Sequence, residues 1–304
     1  MTDTEHRRDL IGRIRALNSP LSPQPTDLQF KLDFTNDIEA VLLDVYGTLF
    51  ISGCGDIGTA GSSHSDEALT AALQSIGLRG NLKESGPAGI GLFEEFIREE
   101  HWAKKQNGCL TPEVDVREIW HRVIESLSGQ NLLELSQPLS DVDIERLAVE
   151  YECRVNPVWP MPQLADFFQH IRDLELPCGI VSNAQFFTPL LFEAFLNQPL
   201  EDLGVDSRLC SWSYRSGCSK PSPQTFETSL QKLESLYGVS PSNTIYVGND
   251  CLNDVAGARE AGCKTALFAG DKKSLRLRRD HPQCRDIEPD IVITELMQLP
   301  RVLS

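Results

Sequence analysis

Asp44 ends the apolar run of EAVLLDVYGTLF, and Gly47-Thr48 follow after two intervening residues. A carboxylate at the carboxyl edge of a parallel strand can face a ligand while turn amides point at anionic oxygens. Standing alone, it would read as a turn-forming Asp. Ser182 and Asn183 close a second apolar run, GIVSNA, shortly before a helix start marked by Thr188-Pro189. A hydroxyl beside helix-start amides suits phosphate oxygens. Lys220, in SGCSKPSPQTF, lies where Pro221 and Pro223 restrict the backbone. A lysine there could offset charge on a nucleophile and on a transferred group. Asp250 and Asp254, in IYVGNDCLNDVAGAREAG, are spaced i, i+4 and share a face if a helix has begun. Two carboxylates so close are costly unless a cation joins them. Asp44, Asp250 and Asp254 set against Lys220 leave two units of negative charge, which one Mg²⁺ neutralises. Ligands that are all oxygen favour Mg²⁺ over zinc or copper.

The elements that must position these groups follow from periodicity. Runs at 39–43, 177–181, 208–212, 243–248, 264–268 and 290–293 read as buried strands. Helical patterns at 162–174, 188–197, 222–236 and 252–261 separate the later ones. Such alternation implies an α/β fold with a parallel sheet covered on both faces. The long stretch between the first two strands is helical instead, at 65–77, 88–106, 113–128 and 140–152. An insertion just after a βα turn lies at the carboxyl edge of the sheet, over the ligand site, as a lid. The Gly/Ser-rich segment 51–65 and the proline-bearing segment 154–160 read as its two hinges, and Asp56 or His64 on the first could reach the site. Residues 3–17 carry Leu10, Ile11, Ile14 and Leu17 at helical spacing, and the prolines of NSPLSPQPTD extend the chain after them. The expected organisation is an N-terminal extension over 1–37 packed on the body, a core from 38–50 and 160–304, and an inserted cap over 51–159.

Composition bounds the class. The chain has 304 residues, 40% hydrophobic and 24% charged, ordinary proportions for a globular protein. Its net charge of −16 repels nucleic acid and anionic lipid. Nine cysteines, an odd number without a CxxC pair, argue against a zinc site and a disulfide framework. The opening MTDTEHRRDLIGRIRAL has charges where a signal peptide needs an apolar core, and no window approaches a charge-free membrane span. The expectation is a cytoplasmic monomer or homodimer with no nucleic-acid or membrane partner.

Taken together, Asp44-x-x-Gly47-Thr48, Ser182-Asn183, Lys220-Pro221 and Gly248-Asn249-Asp250-x-x-x-Asp254, in this order and each after an expected strand, resemble the haloacid dehalogenase (HAD) superfamily. The resemblance covers 38–50 and 160–295, and the insertion is similar to that family's cap in position and helical character. It implies a HAD-like Rossmannoid core, a three-layer parallel sheet, with an inserted all-helical cap domain. It also implies roles. Asp44 would be the nucleophile, forming a covalent aspartyl intermediate, while Thr48 and Ser182 bind the transferred group. Lys220 would orient Asp44 and damp its charge, and Asp254 would hold Lys220. Asp250 would bind Mg²⁺ with Asp44 and the backbone carbonyl of Tyr46.

Tyr46 raises a conflict. By the resemblance, the phosphatases of the superfamily carry there an Asp that protonates the leaving alcohol. The haloacid dehalogenases carry Tyr, since halide leaves without a proton. Losing a general acid costs about 10² to 10⁴ in rate. Asn249, Asp250 and Cys251 point the other way, because the dehalogenases have hydroxyl and amide residues there and need no metal. Phe226 stands where they have a tyrosine, and Arg79 is the nearest candidate for their substrate-binding arginine. The resulting expectation is an Mg²⁺-dependent phosphatase acting on a small phosphorylated metabolite, with Tyr46 and Asn183 lining the pocket. Its leaving group would need little protonation, as in an acyl phosphate, or would take a proton from elsewhere, such as Asp56. The alternatives are a metal-independent 2-haloacid dehalogenase and a catalytically silent HAD-fold binding module. Four intact charges, Asp44, Lys220, Asp250 and Asp254, weigh against the silent module. Specificity would come from the cap, where Arg98, His101, His121 and Arg122 are candidates and Trp102 and Trp120 are expected in the core.

Overall fold

Core strands form here where a short apolar run is long enough to be covered on both sides. The computed structural model describes residues 2–32, 37–53 and 64–303. In chain order it contains α1 (Asp3–Leu17), β1 (Ala40–Leu43), β2 (Phe50–Ser52), α2 (Ser65–Ser75), β3 (Arg79–Gly80), α3 (Leu82–Gln106), α4 (Val116–Gly129), β4 (Leu133–Glu134) and α5 (Asp141–Val155). It continues with β5 (Val158–Pro160), α6 (Leu164–Asp173), β6 (Cys178–Ser182), α7 (Thr188–Leu196), β7 (Ser211–Trp212), α8 (Ser213–Ser216), α9 (Gln224–Tyr237), β8 (Thr244–Gly248), α10 (Gly257–Glu260), β9 (Lys264–Phe268), β10 (Ile291–Ile293) and α11 (Pro300–Leu303).

Six strands make one sheet in the order β10-β9-β8-β1-β6-β7, and every pairing is parallel. Side chains alternate across it. Val41 and Leu43 join Ile180, Val247 and the apolar faces of α6 and α7. Ala40 and Leu42 join Val181, Tyr246 and Phe226, Leu230 and Leu233 of α9 on the other side. This is the three-layer α/β arrangement, and β1 is flanked by β6 and β8, the strands that lead into Ser182-Asn183 and Asn249-Asp250.

Two expected elements differ. Over 208–212 only Ser211–Trp212 pair with β6, because the Asp206 carboxylate accepts the Arg208 amide at 2.9 Å and caps a tight turn over Ser207–Leu209. After β8 the chain begins with a π-helical turn, Cys251–Ala256, before α10. Asp250 caps that turn, accepting the amides of Leu252 (2.8 Å) and Asn253 (3.2 Å).

Helices α2 to α5 form the insertion around their own apolar cluster, which includes Leu69, Leu73, Trp120, Val123, Leu127 and Leu147. A two-residue ribbon, β3 with β4, ties them together. The antiparallel ribbon β2–β5 carries the chain out and back, and Ser52 donates to Asn156 at 2.8 Å beside it. A second attachment lies at 111–113, where Ser219 N donates to Thr111 O (2.8 Å) and Glu113 N to Gly217 O (2.9 Å). Helix α1 bridges both halves. Leu10, Ile11 and Ile14 are buried in the main core, while Arg13 pairs with Glu150 on α5 and Arg7 with Glu193 on α7. Among the described residues no helix is long and apolar enough to cross a membrane.

Candidate active site

The carboxyl ends of β1, β6 and β8 converge, and their terminal side chains meet around Asp44. Gly47 lets the chain turn after it. Its φ is +82°, and a Cβ there would meet the Asn249 amide at 2.6 Å. Ser182 Oγ donates to Asp44 Oδ1 at 2.9 Å, and Lys220 Nζ donates to the same oxygen at 2.7 Å. Among the described residues Asp44 Oδ2 receives only a long contact from Thr48, at 3.4 Å. Lys220 is 5% exposed. Its other donors go to Asp254 Oδ1 (2.6 Å) and Tyr246 Oη (2.8 Å). Burial alone would lower its pKa, but Asp254 and Asp44 outweigh that and hold it above lysine's ordinary value. Asp254 Oδ2 accepts the Asp250 amide at 2.8 Å, which fixes the start of the π-helical turn. Asn183 frames Lys220 from behind, its Oδ1 accepting the Lys220 amide at 2.7 Å.

Some expected contacts are absent. The Gly47 and Thr48 amides donate within their own turn, to Phe50 O (2.7 Å) and Val45 O (3.2 Å), rather than toward a ligand. Thr48 is fully buried behind Asp44, bonded to Asn249 at 3.0 Å, and neither it nor Ser182 lines the cavity. Asp56 lies outside the described residues.

Asp250 has a partner that sequence reasoning missed. The Arg278 guanidinium grips its carboxylate, with Nε at 2.8 and 2.9 Å from the two oxygens and Nη2 bonded to the second. Counting Arg278, the cluster carries one unit of negative charge, not two. The donors expected for magnesium therefore do not fit one as they stand, since both oxygens of Asp250 are engaged by a cation already present. Among the described residues no group of three or more His, Cys, Asp or Glu side chains is arranged to hold a metal ion. The signal that could have found Arg278 is the basic run RLRR at 276–279 in an otherwise acidic chain.

Core and cap enclose a cavity of about 530 Å³ in front of Asp44. Tyr46, Asn183, Lys220, Asp250 and Asp254 line it from the core. The Tyr46 hydroxyl is buried against Thr188 at 2.9 Å, and burial raises its pKa well above the tyrosine range, so it stays protonated. The cap supplies an apolar wall from Ile90, Phe93, Ile97 and Val114, with Arg98, His101, Glu113 and Glu152 among it. His101 Nε2 is buried without a hydrogen-bond partner. His121 and Arg122 instead pair with Asp141 and Glu99 away from the cavity. Trp120 is buried as expected, but Trp102 is 67% exposed. Arg79 is exposed on the β3 ribbon, and Phe226 packs on Tyr246 inside the core.

Glu152 was also not anticipated. It sits near the end of α5, reaches the cavity wall, and accepts from Asn156 Nδ2 at 3.3 Å. Burial pushes its carboxyl from the ordinary 4.5 up to about 7, against the weaker pull of Asn156. Near neutral pH it can therefore give or take a proton.

Comparison with known proteins agrees with this architecture. A 2-haloacid dehalogenase from Pseudomonas syringae pv. Tomato DC3000 has a TM-score of 0.54 at 21% identity, covering 88% of this chain and 98% of that one. A HAD phosphatase from Thermococcus onnurineus has a TM-score of 0.50 at 18% identity, with the same coverages of 88% and 98%. At such identities the likeness shows the fold. An uncharacterized hydrolase of Schizosaccharomyces pombe is 29% identical over 103 residues, 32% of this chain and 42% of that protein, so the match spans less than half of that relative. A family model described as haloacid dehalogenase-like hydrolase matches residues 38–262, most of the chain, and the protein belongs to that family.

Proposed function

We propose that the protein is a phosphatase of small phosphorylated metabolites that works through an aspartyl-phosphate on Asp44. The observation that carries this reading is Glu152. A departing halide needs no proton, so a carboxyl on the cavity wall that can act as an acid in the first step has that part of its work where an oxygen leaves. The cavity volume, about 530 Å³, is in the range of metabolite sites.

In the first step Asp44 Oδ2 attacks phosphorus, the P–O bond to the leaving group breaks, and the departing oxygen takes the Glu152 proton. Lys220 and Ser182 hold the other carboxylate oxygen and keep Asp44 aligned. In the second step water attacks the same phosphorus, Glu152 takes the proton of that water, and Asp44 is released. The titratable neighbours of Glu152 are Tyr46 from the turn after β1, and Tyr151 and Cys153 on its own helix, all raised by burial and so neutral at working pH. Charged or titratable groups elsewhere on the cavity wall are Asp44, Lys220, Asp250 and Asp254 from the core, Glu94, Arg98 and His101 from α3, and Glu113 from the 111–113 loop.

A second reading, metal-independent dehalogenation of a haloacid, is favoured by Tyr46 and by Arg278. The guanidinium removes the repulsion that a bare Asp250 would exert on a carboxylate substrate. Purified protein assayed on p-nitrophenyl phosphate, an alkyl phosphate panel and 2-chloropropionate separates them. Phosphate release that disappears in Asp44→Asn is expected. Chloride release with no phosphate released from any ester would sink the phosphatase reading.

A further inference from the structure

A carboxylate offers about four acceptor positions. At Asp250, which is 4% exposed, the amides of Leu252 and Asn253 and two nitrogens of Arg278 fill them. The guanidinium is delivered by a held loop. Arg276 N donates to Asn249 O (3.0 Å) and Cys251 N to Arg276 O (2.8 Å), so the segment before Arg278 runs alongside Asn249–Cys251. Asn249 Nδ2 donates to Ser274 O at 2.6 Å, and Asp271 accepts from the Ser274 hydroxyl at 2.7 Å. The other oxygen of Asp271 accepts the amide of Gln24 at 2.8 Å, which pins the same loop from the N-terminal segment. Arg278 itself sits at φ +44°, a conformation that an arginine rarely adopts without being held there.

We infer that Arg278 is the resident counter-ion of Asp250 and excludes a divalent cation from this cavity. A planar guanidinium matches a carboxylate at two points and is never deprotonated, so it neutralises Asp250 at every working pH. A dication at Asp250 would have to displace it and would then stand beside a second positive charge. Metal and Arg278 are competitors for one carboxylate. The inference does not depend on which bond Asp44 breaks, because metal binding is read without substrate.

The test is Mn²⁺ titration of the full chain by calorimetry, with the melting temperature followed at each metal concentration. Parent protein is expected to show no saturable site and no Mn²⁺-dependent rise in melting temperature. Arg278→Ala should gain one site and a melting temperature that climbs with Mn²⁺, since a ligand bound only by the folded state stabilises it. Arg278→Ala combined with Asp250→Asn should lose both again. Arg278→Lys keeps the charge without the two-point grip and should respond weakly, which covers the case in which the alanine variant does not fold. Stoichiometric Mn²⁺ binding by the parent, or no response in either single variant, would overturn the inference.

Discussion

Lys220 uses its three ammonium hydrogens on Asp44, Asp254 and Tyr246, so its replacement does more than remove a charge. Lys220→Met should abolish turnover and lower stability by about 3–5 kcal/mol in denaturant titration, because it leaves buried carboxylates without their cation. Glu152 gives a separate pH signature. Its folded value of about 7 lies above the ordinary 4.5, so ionisation opposes folding, and that contribution to stability is lost as pH rises from about 4.5 to about 7. Glu152→Gln should therefore match the parent's melting temperature near pH 4 and exceed it at pH 8. The same variant should lose about 10²- to 10⁴-fold in kcat/KM, which reads the first step alone, on alkyl phosphates while changing little in kcat/KM on p-nitrophenyl phosphate, whose leaving group needs no acid. Equal losses of kcat/KM on both esters would make Glu152 structural. The four motif stations were readable because each is a local pattern, an apolar run ended by a polar residue. Arg278 and Glu152 were not, because what makes them important is a neighbour far along the chain.

Elements show the same division. Helix α4 was readable from its periodicity, and so was the burial of Trp120. Trp102, which looks as suitable for a core, lies on a face of α3 that no other element covers among the described residues, and only tertiary packing decides that. The shortened β7 follows from Asp206 competing as a turn cap, a local signal that sits just before the apolar run. Counting cysteines by spacing likewise overlooked a pair 109 residues apart. Cys109 in the cap and Cys218 in the core have their sulfurs 2.6 Å apart, next to the attachment at 111–113. Oxidised glutathione should join them, two thiols giving one disulfide while the glutathione disulfide takes up the two electrons and two protons. Burial pushes the Cys218 thiol up to about 11, so the reaction should be slow at neutral pH and quicken as pH rises. Peptide mapping of parent and Cys109→Ser checks this, and a parent without the cross-link after prolonged oxidation at pH 9 would refute it.

At the scale of the whole molecule, the N-terminal residues act as a strap. Helix α1 packs on both halves, and the segment after it bonds to the loop of Arg278 through Gln24 and Thr26 and to β10 through Lys31. Cap and core should therefore unfold in a single transition. Ile14→Ala, at a fully buried position, should shift that transition as a unit by about 2–5 kcal/mol in urea. Two separated transitions in the parent would contradict it. The helix at 3–17 was readable from its stripe of Leu10, Ile11 and Ile14, but not that the stripe would rest on two bodies at once. That seating has a consequence for traffic. A roof riveted to its walls by an apolar seam as well as by its own doorposts cannot be thrown open cheaply, so solutes must slip in past the side chains at the threshold. On the proposed function, compact molecules should pass such a threshold and a folded protein bearing a phosphate should not.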